Sequence, residues 1–168
     1  ISKFYSEHPE DRLFDDPEDY RPDEDIFAFK DNPAKPTLHG RVRHARGFNW
    51  AIPEVREHRM ALIEELCRKY DTDGFEMDFT RHPSLFREDQ TTAEEREAIM
   101  TEFCRNVRSL LEATSQPGQK RHLALRLPGD IASYPSMGID LQACVDVGVD
   151  MITMSCGYRT VQNVDPRP

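Results

Sequence analysis

The chain has 168 residues, 38% of them hydrophobic and 32% charged, with a formal net charge of -9 and a mean hydropathy of -0.71. That length can bury a core without requiring a second domain, and the negative charge opposes a grip on nucleic-acid phosphates or an anionic membrane surface. No apolar run approaches a membrane span. The cysteines Cys67, Cys104, Cys144 and Cys156 lack the close spacing of a structural zinc site and read as reduced thiols.

Residues 1 to about 37 are rich in Pro, Asp and Glu, and hold eleven Asp/Glu against five Lys/Arg up to Pro36. They show no sustained period and read as a long acidic loop anchored by Phe4, Tyr5, Phe14, Tyr20, Phe27 and Phe29. The chain opens on Ile1 rather than Met and reads as an excised piece. The lack of a signal peptide therefore carries no information on compartment and leaves a secreted or periplasmic location open.

Asn49-Trp50-Ala51-Ile52-Pro53 leads into a first helix, with Pro53 suited to its first turn and Val55, Leu62, Ile63, Leu66, Cys67 and Tyr70 at helical spacing. A turn at Asp73-Gly74 precedes a strand over 74–80. A second helix starts from a cap at Thr91 or Thr92 and carries the stripe Ile99, Met100, Phe103, Cys104, Val107, Leu110 and Leu111. Ser115-Gln116-Pro117-Gly118 ends it. His122 to Leu127 forms the next strand, a short helix follows near 140–147, and Val149 to Ser155 forms a third strand.

Strand, helix, strand, helix, strand with short turns implies an α/β class and a parallel sheet. An open doubly wound sheet and part of a (β/α)8 TIM barrel both fit that order. The barrel is favoured because each strand carries small or polar residues on one face near its C-terminal end and large apolar residues on the other. A complete barrel needs roughly 250 residues. The expectation is therefore one catalytic barrel domain of which residues 1–168 form a central arc of about three strand-helix units.

The strand Gly74-Phe75-Glu76-Met77-Asp78-Phe79 carries the chemistry. Alternation sends Glu76 and Asp78 to one face and Phe75, Met77 and Phe79 to the other. Residues two apart on a strand lie about 6.6 Å apart on the same side, so the two carboxylates cannot flank a scissile bond as an opposed glycosidase pair does. Asp78, nearer the C-terminal rim, is the candidate nucleophile or base, and Glu76 the supporting group that tunes it. The alternative, weightier for Glu76 than for Asp78, is that they are lumen residues paired with a basic side chain such as Arg126. Arg81 and His82 follow the strand, where they could meet sugar hydroxyls or an anion or remain a solvated loop. Arg126, on the polar face of its strand, needs a partner in Glu76 or in a substrate. Trp50 could stack on a sugar ring or pack in the core, Asn49 is a weaker polar candidate, and Ser155 ends the polar face of the third strand.

The run Asn49-Trp50-Ala51-Ile52-Pro53-Glu54-Val55-Arg56, followed by Tyr70-Asp71-Thr72-Asp73-Gly74-Phe75-Glu76-Met77-Asp78-Phe79, resembles the glycosyl hydrolase-like 10 group of (β/α)8-barrel proteins. There a PEVR helix leads into YDxDG and an acidic fourth strand. Ser2-Lys3-Phe4-Tyr5 to His8-Pro9-Glu10 also resembles the loop after that group's third strand. The resemblance implies a glycoside hydrolase with a poly- or oligosaccharide substrate. The same strand is similar to the family 18 chitinase signature Asp-Gly-Phe-Asp-Ile-Asp-Trp-Glu, with Glu76 and Asp78 on its two inner aspartates. Thr80 falls on that family's catalytic glutamate, which removes the acid of chitinase chemistry. In related barrels with a fourth-strand nucleophile, the aspartate at the strand end attacks, which matches Asp78.

The leading expectation is thus hydrolysis of O-glycosyl bonds in a polysaccharide or oligosaccharide, with Asp78 as nucleophile or base, Glu76 orienting it, the general acid on another strand, and no cofactor or resident metal. Two other readings remain. One is a divalent-metal enzyme of sugar isomerase or amidohydrolase type using Glu76, Asp78 and His82 as ligands. The other is a glycan-binding barrel whose catalytic set has decayed at Thr80.

Overall fold

A computed structural model of the protein describes residues 48–80 and 85–155. The acidic stretch 1–37, Arg81, His82 and Cys156 lie outside the described residues.

Helix α1 runs Pro53–Lys69 with Pro53 in its first turn, Glu54 near its N-terminus and Arg68 and Lys69 in its last turn. These charges complement the helix dipole at both ends. Pairs one turn apart, Glu64 with Arg68 and Glu65 with Lys69, lace its solvent side. Val55, Ile63 and Cys67 are buried, whereas Leu62, Leu66 and Tyr70 are exposed. The predicted stripe is therefore two adjacent rows. The row 55, 63, 67 faces the core and the row 62, 66, 70, rotated by about 100°, faces out.

Strand β1, Gly74–Asp78, follows, and then helix α2, Ala93–Ala113. Its cap is Thr92 in a reciprocal capping box, in which the Thr92 hydroxyl accepts from the Glu95 N–H and the Glu95 carboxylate accepts from the Thr92 N–H. Arg96, Met100, Phe103, Cys104, Val107 and Leu111 form its buried face. Strand β2 is His122–Pro128 and strand β3 is Met151–Ser155. Between them lie a 3-10 turn, Ile131–Ser133, and two short helices, α3 at Tyr134–Met137 and α4 at Leu141–Asp146. Asp140 caps α4 by accepting from the Ala143 N–H.

The strands form one parallel sheet in the order β1-β2-β3, with Glu76 opposite Ala124, Asp78 opposite Arg126, and Arg126 opposite Thr153. Leu123, Leu125 and Leu127 of β2, with Met77 and Phe79, enter the core on one face, where α2 packs against β2, α1, α3 and α4. The opposite face has no helix among these elements against it.

This corrects the expected (β/α)8 architecture. Among the described residues the structure is a small three-stranded parallel sheet with helices on one side, and no barrel closes. The alternation of polar and apolar positions is present, but its cause differs. Glu76 and Asp78 are exposed to solvent, so among the described residues the polar row is the open face of a half-buried sheet. Periodicity reports that one face is dry; it does not report whether the other face is enclosed. No helix among the described residues is long and apolar enough to cross a membrane.

Two glycines mark close approaches. Gly74 opens β1 beside β2, where an added Cβ would sit 2.1 Å from the His122 carbonyl oxygen. Gly138 ends α3 in the left-handed region (φ 72°), and a Cβ there would lie 2.5 Å from the Arg96 carbonyl oxygen on α2. Arg96 itself is buried and donates to the carbonyls of Pro135 and Thr91, joining α2 to α3.

Charged groups fasten the N-terminal ends of the strands. Arg121, 3% exposed, donates to the carbonyls of Cys67 and Tyr70 at the end of α1 and to the Thr114 hydroxyl at the end of α2. Asp150 accepts from the Leu123 N–H at 3.0 Å and pairs with Arg108 at 3.0 Å and Lys120 at 2.7 Å. Burial alone would raise its pKa. The hydrogen bonds from Lys120 and Leu123 and the charges of Lys120 and Arg108 outweigh burial and hold the carboxyl below the ordinary aspartate value.

Two outcomes are expected. Gly138→Ala should lower unfolding free energy by more than about 1 kcal/mol in urea titration, through backbone strain and overlap with Arg96. Asp150→Asn should cost on the order of 1–2 kcal/mol at neutral pH. Because the folded-state value for Asp150 is depressed, its contribution is full above the unfolded value of about 4 and is lost as pH falls through the folded value. The gap between wild type and Asp150→Asn should therefore narrow below about pH 4, as read from urea unfolding at several pH values.

Candidate functional site

The open face of the sheet gathers polar side chains from all three strands. Register places Glu76 and Asp78 on β1, Ala124 and Arg126 on β2, and Thr153 and Ser155 on β3 on this face. The Arg126 guanidinium meets Glu76 Oε1 at 2.8 Å, with the two side chains 41% and 36% exposed. Thr153 Oγ1 lies 3.4 Å from Glu76 Oε2, across β2. That reach passes over Ala124, opposite Glu76 in register; its short side chain leaves the path open. Glu76 is thus engaged on both oxygens, one by a cation and one by a hydroxyl.

Asp78 ends β1. Its Oδ1 accepts from the Thr80 N–H at 2.8 Å and from the Thr80 hydroxyl at 2.6 Å, a local turn in which the side chain stands in for a backbone acceptor. Phe79 N–H donates to the Arg126 carbonyl at 2.9 Å, so pairing with β2 continues one residue past the strand and fixes where the Asp78 carboxylate begins. In a parallel α/β sheet, ligands are met at the carboxyl ends of the strands. Asp78, Arg126, Thr153 and Ser155 occupy that end.

The other predicted residues sit elsewhere. Asn49 is 3% exposed, and its side-chain oxygen accepts from the Ala51 N–H at 3.1 Å, shaping the turn into α1. Trp50 packs edge-on against Phe103 of α2, with centroids 5.0 Å apart and planes at 81°. Its carbonyl accepts from Arg56 and its N–H donates to the Leu85 carbonyl. These two residues join the start of α1 to Leu85, in the segment after β1, and to α2. Arg81 and His82 fall outside the described residues. No group of three or more His, Cys, Asp or Glu among the described residues is arranged to hold a metal ion.

Thr80, Thr153 and Ala124 shape the site without having been singled out as site residues. Thr80 carried a local signal, since a Thr two residues after an Asp often closes such a turn. Thr153 and Ala124 could not be placed against Glu76 before the register of three strands was known. Asp130, just beyond β2, brings another carboxylate near this rim, and its Oδ1 caps the 3-10 turn through the Ala132 N–H.

A cavity of about 470 Å³ opens at the other end of the strands, beside Arg108, Lys120, Arg121 and Asp150. Its charged groups are already joined to one another, so it serves the fold, and the open sheet face remains the candidate site.

The chain matches no family model and no curated protein. The functional reading therefore stands on the residues of this face and on the sequence motif that carries them.

Because both members of the Glu76–Arg126 pair are more than one-third exposed, water screens much of their attraction. Glu76→Gln should change stability by less than about 1 kcal/mol, and by less still in about 0.5 M salt. A loss of several kcal/mol in urea unfolding would mean that the pair holds the sheet and does not belong to a ligand face.

Proposed function

We propose that the open face binds a carbohydrate and that the protein hydrolyses a glycosidic bond, with Asp78 as nucleophile or water-activating base. The observation that carries this reading is the pinning of Asp78 at the carboxyl end of β1 by Thr80, directly opposite Arg126 in register. A carboxylate that is to attack an anomeric carbon, or to take a proton from water, must be held in one orientation. Thr80 supplies that restraint from its own backbone and hydroxyl.

Glu76 acts as a positioning residue. Its carboxylate holds Arg126 and Thr153 in place, so that guanidinium and hydroxyl groups present a fixed pattern to sugar hydroxyls. Arg126 supplies donors only, Thr153 and Ser155 supply groups that both donate and accept, and Asp78 accepts. Such a mixture fits a polyhydroxylated ligand better than a phosphate, which the two carboxylates would repel.

Glycosidases of either stereochemical course use two carboxyl groups. With Glu76 held by Arg126 and Thr153, the general acid is assigned to a residue outside the sheet face.

The test is a reducing-end assay over a panel of polysaccharides and oligosaccharides. Wild type should release new reducing ends, and Asp78→Asn should lower turnover at least 10³-fold while leaving the melting temperature within a few degrees. Retained turnover in Asp78→Asn would remove Asp78 from the chemistry. Binding of the same glycans by wild type without turnover would replace hydrolysis by recognition alone.

A further inference from the structure

Cys104 on α2 and Cys144 on α4 lie with their sulfurs 3.9 Å apart, though 40 positions separate them in sequence. Both side chains are 0% exposed. Cys67 is also a buried free thiol, and it serves as an internal comparison.

We propose that Cys104 and Cys144 form a latent disulfide, closed by a small hydroperoxide, that staples α4 to α2. The observation is independent of any role for Asp78. An S–S bond is about 2.05 Å long, so closing requires the sulfurs to approach by about 2 Å. Helix α4 can supply that movement. It has six residues, is capped at one end by Asp140 and is followed by Val147 and Gly148, whereas α2 has 21 residues and runs through the core. The shorter element yields.

The two thiols are not equivalent. Hydrogen bonding to Cys144, together with burial, pushes the Cys104 thiol up. Cys144 lies on the short helix that opens, so it is the sulfur that meets the peroxide first. Its thiolate displaces alkoxide or hydroxide from the peroxide oxygen, breaking the O–O bond and giving a sulfenic acid. The Cys104 sulfur then attacks the Cys144 sulfur, its thiol proton and the sulfenic hydroxyl leave as water, and the S–S bond forms. The two thiols lose two electrons in total and the peroxide gains them, so two thiols and one hydroperoxide yield one disulfide, one alcohol or water molecule, and one further water. A small neutral oxidant is specified because neither sulfur is open to solvent. Access comes through brief local opening of α4, which a bulky disulfide reagent would exploit less readily.

The 168-residue protein would be treated with hydrogen peroxide at neutral pH, blocked with N-ethylmaleimide in denaturant, and digested without reductant for peptide mapping. The expected result is an intramolecular Cys104–Cys144 link. It should be accompanied by a rise in melting temperature of roughly 5–10 °C that dithiothreitol reverses. Cys67→Ala should keep both effects and Cys144→Ala should lose both. If Cys144→Ala does not fold, the wild-type peptide map alone decides. Absence of this link, its displacement by links through Cys67 or Cys156, or a fall in melting temperature on oxidation would overturn the proposal.

Discussion

Three parallel strands need something to hold their starting points level, and here the Arg121 guanidinium does it. It is buried and reaches the carbonyls that α1 leaves unsatisfied at its C-terminal end, and it touches the end of α2 as well. Those carbonyls form the negative pole of the helix, so a cation placed there answers two needs at once. Beside it, Asp150 takes the Leu123 N–H and draws in Arg108 and Lys120, which levels β3 with β2. The register that places Arg126 opposite Asp78 and Thr153 follows from these anchors. The Glu76–Arg126–Thr153 contact inherits its geometry from the opposite end of the sheet.

Among the described residues the helices cover one side of the sheet, and the chemistry of each strand follows from that asymmetry. Three leucines of β2 lie against α2, and on the reverse of the same strand sit Ala124 and Arg126. Ala124 matters by its smallness, since it leaves a shallow path across β2 for the Glu76 carboxylate to meet Thr153. A larger side chain there would separate β1 from β3 on this face.

Much of this was legible in the sequence, for identifiable physical reasons. The α2 stripe and a cap at Thr91 or Thr92 are local, set by spacing within a single helix; the structure settles the cap as Thr92. The dry row of β2 and the same-side placement of Glu76 and Asp78 follow from strand alternation. The enclosure of the polar face did not follow. An exposed row and a row lining a lumen carry the same residues, and only the position of neighbouring strands distinguishes them. Trp50 illustrates a related limit. An aromatic beside a polar residue reads equally as a sugar platform or a packing element, and the contact with Phe103, far along the chain, decides where the ring lies. The partial exposure of the α1 stripe is not legible from spacing, because adjacent rows differ by one residue.

The sheet separates two duties by direction along its strands. Arg121, Asp150 and their partners gather where the strands begin, while Asp78, Thr80, Arg126 and Thr153 stand where they finish. Side chains at the finishing end can be exchanged without loosening the ion pairs at the beginning. The fold can therefore accept new specificities at one rim at little risk to its own integrity, and it has little freedom to change at the other.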